Sequence, residues 1–171
     1  MGLRAPDPRE EIVAYLPQLR AFAQTLTRNP ASADDLVQDT MVKAWKSFHT
    51  FTQGTNLKAW LFTILRNTYL ADLRKARRRP ILAVTPFSDD IAVTHGTDTQ
   101  IAMIDFERAL ATSPEPQREA IVLVGPAGLS YQEAANSCGV SIGTIKSRVN
   151  RGRARLAELL ELTAADRAER G

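Results

Sequence analysis

Residues 129–156, LSYQEAANSCGVSIGTIKSRVNRGRARL, constrain the fold more tightly than any other stretch of the chain. Ser130 followed three positions later by Glu133 is a capping box, in which each side chain satisfies a free backbone N–H of the other, and Leu129 with Ala134 forms an apolar staple around it. A helix therefore begins at Tyr131. Gly139 supplies the left-handed residue that stops it, Val140 plugs the core and Ser141 caps a second helix, giving the short glycine turn of a helix-turn-helix. At about 100° per residue, Ile142, Ile145, Val149, Gly152 and Leu156 share one arc of the second helix and face inward. Gly143, Thr144, Ser147, Asn150, Arg151 and Ala154 share the opposite arc, flanked by Lys146 and Arg153 on one side and Arg148 and Arg155 on the other. Small, hydrogen-bonding side chains let such a helix approach base edges in a DNA groove, while the flanking cations reach the two phosphate walls. Arg151 suits the bidentate edge of guanine, and Asn150 that of adenine. The competing reading of the same residues is a solvated basic face on a structural helix.

Charge is distributed unevenly over the rest of the chain. The net charge is only +3 over 171 residues, yet Arg74, Lys75, Arg77, Arg78 and Arg79 form a second basic cluster, whereas Asp34, Asp35 and Asp39 form an acidic one. A hydrophobic content of 44% is enough for packed cores. Cys138 is the only cysteine, and His49 and His95 are the only histidines. No cofactor or metal is therefore expected: a disulfide framework and a Cys/His zinc site both lack their ligands, and Cys138 reads as a small buried residue. The start, MGLRAPDPREE, has no apolar signal core, and no apolar run reaches membrane-spanning length. The expected location is cytoplasmic, without membrane insertion.

Helical periodicity accounts for most of what remains. Ile12, Leu16, Leu19, Ala23 and Leu26 make one stripe, with Pro17 near the start of its strong part. RNPASADD stops it. Val37, Met41, Ala44, Trp45 and Phe48 make a second stripe, with Asp34, Asp35 and Asp39 placed in the first turns, where the helix dipole favours acids. After the loop of residues 50–56, a long helix carries Leu57, Leu61, Ile64 and Thr68 inward and ends at Pro80. Trp60, Phe62 and Tyr69 are interleaved on it with Lys58, Arg66, Asn67, Arg74 and Lys75, the mixture of aromatic faces and cations that captures unpaired bases. Trp60 serves equally well as a core residue. Residues 81–99 show no helical period and read as a flexible tether. QIAMIDFERALATS and PEPQREAIVLV are short helices leading to the helix-turn-helix. The expected fold is all-α: two small helical domains, 8–80 and 100–163, joined by the linker 81–99.

In this order, DDLVQDTMVKAW, GTNLKAWLFTILRN, a basic helix end, a tether, PEPQREAIVLV and the helix-turn-helix resemble an extracytoplasmic-function (ECF) sigma factor, a promoter-recognition subunit of bacterial RNA polymerase. The likeness covers residues 8 to about 162, and the wording of GTN-KAWLFTILRN and QREAIVLVG is most similar to the group controlling the general stress response. The resemblance implies that Asp34, Asp35, Gln38 and Asp39 dock on the clamp helices of the largest polymerase subunit, with a further polymerase contact at the flap. It implies that residues 50–56 receive a flipped base of the downstream (−10) promoter element, and that Asn56, Lys58, Trp60, Arg66, Asn67 and Arg74 contact and melt it. It places Lys146, Ser147, Asn150 and Arg151 against bases of the upstream (−35) element, with Thr144 and Arg148 nearby. Helical wheel and resemblance agree on Ser147, Asn150 and Arg151 and differ over Lys146, which the wheel sets on a flank. The chain departs from housekeeping sigma factors in lacking their additional domain and N-terminal extension, so a well-matched promoter is expected. The resemblance also implies an anti-sigma partner, NepR-like in the stress-response group, which a response regulator with a sigma-like domain removes.

Two other classes compete. A sigma-like module that only binds an anti-sigma protein has no need of Lys146, Arg148 and Arg151. A helix-turn-helix regulator acting without polymerase leaves the acidic cluster and the aromatic-basic helix without a purpose. An enzyme finds no Ser/His/Asp set, metal constellation or phosphate-binding glycine loop in the sequence.

Overall fold

The computed structural model describes residues 8–78 and 98–170. The tether assigned to 81–99 lies outside them, except that Asp98 and Thr99 already belong to a helix. The described residues form helices joined by turns and loops, with no strand among them.

In the N-terminal half, α1 (Pro8–Ile12) leads through a 3₁₀ turn into α2 (Leu16–Thr27), with Pro17 in its first turn, where no intrahelical donor is lost. Arg28 ends α2 in the left-handed region at φ 58°, and its N–H reaches back to the Gln24 carbonyl. The next residue, Asn29, accepts from Ser32 N–H and caps α3 (Pro30–Ser47). This start is earlier than the acids suggested. Asp34, Asp35 and Asp39 therefore sit beyond the first turn, where the helix dipole has faded, so the dipole does not account for them. A second 3₁₀ turn, Phe48–Thr50, leads to the loop before α4 (Leu57–Arg78).

α2, α3 and α4 pack on one another. Leu19, Phe22, Leu61, Phe62 and Leu65 are wholly buried, and the Phe22 and Phe62 rings stack with centroids 5.2 Å apart. Phe62 is thus core, not a stacking platform for bases. Tyr69 is likewise committed inward, half-buried with its hydroxyl donating to the Leu26 carbonyl at 3.0 Å. Trp45, expected in the inner stripe of α3, is 48% exposed.

The C-terminal half contains α5 (Asp98–Thr112), α6 (Glu115–Val124), α7 (Tyr131–Cys138) and α8 (Ile142–Arg170). Both bonds of the capping box are formed, with Glu133 N–H on Ser130 Oγ at 3.1 Å and Ser130 N–H on Glu133 Oε2 at 2.9 Å. Gly139 follows at φ 65°, and Ser141 Oγ caps α8 by accepting from Thr144 N–H. Ile145, Val149 and Leu156 are buried as their periodicity required. Gly152 lets α8 lie close on α6, since a Cβ there would fall 2.5 Å from Ile121 Cδ1. Arg118, buried at the start of α6, donates through Nη1 to the carbonyls of Ala111 and Ser113 and so fixes the α5–α6 corner. Arg167, in the last turns of α8, pairs with Asp105 of α5.

The halves do not stand apart. α7 packs along α4, and α6 packs against α2.

Candidate nucleic-acid interface

The expected reading strip of α8 faces solvent. Gly143, Asn150, Arg151, Ala154 and the flanking Lys146, Arg153 and Arg155 are exposed, while Thr144, Ser147 and Arg148 are half-buried. Arg151 Nε donates to Ser147 Oγ at 3.1 Å, so these two residues, one turn apart, share a hydrogen bond at the centre of the strip. Lys146 Nζ lies 6.0 Å from the centre of the Tyr131 ring, within cation–π range, which ties this flank to α7.

The long helix α4 has a different character along its length. Asn56 caps it by accepting from Ala59 N–H at 3.2 Å. Residues 52–56 are exposed, with Gly54 at φ 85°. Behind this loop, Phe48, Phe51 and Trp60 form a three-ring cluster with centroids 5.4–6.0 Å apart. Trp60 is accordingly half-buried and braces the loop. Asn67 and Arg74 are exposed further along, and Lys58 is half-buried.

Arg66 lies against the C-terminal half. Its Nε and Nη2 donate to the two carboxylate oxygens of Glu119 on α6, and its Nη1 donates to the Ser137 carbonyl at 3.4 Å. Burial works against the Arg66 charge, but the Glu119 carboxylate outweighs it and holds the guanidinium above its ordinary pKa. Two more bonds cross the same boundary: Asn56 Nδ2 donates to Glu133 Oε1 at 2.8 Å, and Thr63 Oγ1 to Ser137 Oγ at 3.0 Å. Cys138 is buried beside this group, and burial pushes its thiol up to about 11. Hydrogen bonds from Ser130 and Asn56 hold the Glu133 carboxyl below its ordinary range.

On α3, Asp34 pairs with Arg20 at 2.7 Å. Asp35, Gln38 and Asp39 remain exposed and continue into Val42, 52% exposed, and Trp45. The spacing 35, 38, 42, 45 alternates three and four, so these residues form one stripe of mixed acidic and apolar character.

Residues 12–79 match the family Sigma-70 region 2, and residues 104–156 match Sigma-70, region 4. The ECF RNA polymerase sigma factor EcfG of Rhodopseudomonas palustris is 45% identical over 158 residues, 92% of this chain and 87% of that protein. The chain is an ECF sigma factor of the sigma-70 family. Its structure is similar to that of the sigma factor RpoE of Bartonella quintana solved with the anti-sigma factor NepR, at TM-score 0.73 and 45% identity over 92% of this chain and 98% of that one. It is also similar to CnrH solved with the cytosolic domain of CnrY, at TM-score 0.65 and 26% identity over 92% and 91% of the two chains.

Region 4 of this sigma factor contains α6, α7 and the first half of α8, together with most of α5, whereas α8 runs on to Arg170. Within region 2 the sequence reading missed Val42 and Trp45, whose signal was their register with Asp35 and Gln38. It also missed Glu119 and Ser137 as neighbours of Arg66, because polar contacts between residues 53 and 71 positions apart leave no periodic trace. Among the described residues no His/Cys/Asp/Glu group could hold a metal, and no helix is long and apolar enough to cross a membrane.

Proposed function

We propose that this sigma factor directs the RNA polymerase core to promoters of a general stress response, acting in the cytoplasm. In this reading residues 8–80 form the unit that docks on polymerase and opens the downstream element, and residues 100–163 form the core of the upstream reader, whose first helix already begins at Asp98. The observation that carries it is the joint occurrence of regions 2 and 4 with an exposed, two-flanked reading strip on α8.

Ser147, Asn150 and Arg151 read upstream bases, with Thr144, Lys146 and Arg148 placing the helix on the phosphates. Asn56, Lys58, Arg66, Asn67 and Arg74 contact the opened downstream strand, with Trp60 holding the receiving loop in shape. Asp35, Gln38 and Asp39 meet the clamp helices, with Val42 and Trp45 adding apolar contact; Asp34, engaged by Arg20, shapes the edge of that surface. A second polymerase contact is made at the flap. An anti-sigma protein of the NepR type restrains the chain, as suggested by the likeness to the sigma factor solved with NepR.

The deciding experiment is run-off transcription by core polymerase on a genomic template library, with and without the protein. New start sites sharing an upstream and a downstream motif at fixed spacing are expected. Holoenzyme assembly without new starts would leave only a sigma-like binding module, and promoter binding of equal strength without polymerase would favour an independent regulator.

A further inference from the structure

We propose that the C-terminal half carries an internal DNA mimic: Glu119 and Glu133 occupy Arg66 and Asn56, so that the closed chain inhibits its own capture of the opened strand while its upstream reading strip stays free. This rests on the assignment of Arg66 and Asn56 to single-strand contact made above.

The geometry at Arg66 is that of a phosphate complex with a carboxylate in the phosphate's place. Two parallel donors of the guanidinium fork meet two oxygens of one anion, the bidentate arrangement that guanidinium adopts with carboxylate and phosphate alike. The third nitrogen is taken by the Ser137 carbonyl. A guanidinium has no acceptor and a fixed set of donors, so Arg66 cannot hold Glu119 and a DNA phosphate in the same geometry. At the other end of the contact, the amide of Asn56, which a base edge would require, donates to Glu133. Thr63, between them, is paired with Ser137.

The contact is also built to open. A buried ion pair gives back in desolvation most of what it gains in attraction, so exchanging Glu119 for a phosphate trades like for like. Arg66 and Glu119 side chains are only 15% and 8% exposed, whereas Asn150, Arg151 and Arg153 on α8 are open to solvent. The two DNA-contacting faces are therefore unequal in this state: one is shut and the other is presented. Closure lowers apparent affinity for the single strand by the fraction of chains that are open and leaves duplex binding by α8 unchanged.

The test uses the full chain with Thr63→Cys and Ser137→Cys in a Cys138→Ala background. The two hydroxyl oxygens are 3.0 Å apart, within reach of the short sulfur–sulfur bond of a disulfide. Binding is measured to two probes at low salt, a short random-sequence single-stranded DNA and a random-sequence duplex. The oxidised chain is expected to lose single-strand binding and keep duplex binding, with full recovery on reduction. A second variant, Glu119→Gln, needs no cross-link and is expected to bind the single strand about tenfold more tightly, the gain for a chain about nine-tenths closed. Equal single-strand binding by oxidised and reduced chains, or by Glu119→Gln and the parent, overturns the mimic alone. If Arg66→Ala, which opens the same contact, binds the single strand as well as Glu119→Gln does, the assignment of Arg66 itself falls, and the mimic with it.

Discussion

Phe62 separates two accounts of α4, because it stands between candidate DNA contacts yet its side chain is wholly buried against Phe22. Truncation to alanine removes the ring from a closed core and leaves a cavity, which costs roughly 3–5 kcal/mol for a phenylalanine. The stacked pair with Phe22 contributes about 0.5–1.5 kcal/mol of that beyond burial. For a domain the size of the N-terminal half, a loss of about 3 kcal/mol lowers the melting temperature by roughly 12–24 °C. The milder Phe62→Leu keeps most of the volume and should lower the midpoint by a fraction of this. The assay pairs thermal unfolding by circular dichroism with transcription measured well below the new midpoint. Phe62→Ala should shift unfolding strongly, and Phe62→Leu should retain promoter opening at low temperature. If Phe62→Leu kept its melting temperature and lost promoter opening, the ring would be acting on DNA and the burial argument would be wrong.

Arg151→Ala should cost about 1–3 kcal/mol at matched promoters and relax selectivity at one upstream position; an equal loss on all sequences would make Arg151 a phosphate contact. The Glu133 carboxyl is held below its ordinary value in the folded chain, so its stabilisation is complete above the unfolded value of about 4.3 and is lost as pH falls through the folded value. Acid titration of thermal stability should therefore show a fall over that window that Glu133→Gln lacks, and identical profiles would refute it. With its thiol at about 11, Cys138 should alkylate at pH 8 about two hundredfold more slowly than an ordinary thiol from ionisation alone, as followed by mass spectrometry; labelling at the free-thiol rate would contradict its burial.

The C-terminal half was almost fully legible in its residues. Ser130, Glu133, Gly139 and Ser141 start and stop their helices through bonds within four positions of themselves, and the inward arc of α8 needs one neighbour surface only. α4 was harder for a physical reason. It packs against both α2 and α3, so its buried arc is wide, and Leu57, Leu61 and Thr68 account for one part of it while Phe62 and Leu65 fill the rest. An aromatic residue beside cations signals stacking only if it lies outside that arc, and Phe62 does not. Trp45 errs in the other direction, continuing the apolar stripe of α3 past the point where a partner helix covers it. The clasp around Arg66 was invisible because charge pairing between distant segments depends on the tertiary fold and not on local pattern.

Glu133 divides its two oxygens between unlike tasks, one starting α7 from Ser130 and the other meeting Asn56. Genetics should feel that division. Random mutagenesis selecting for chains that hold single-stranded DNA more tightly should recover changes at Glu119 but few at Glu133, since a substitution there weakens the start of α7. A single carboxylate with two employers narrows the paths by which such a chain can drift towards constant activity.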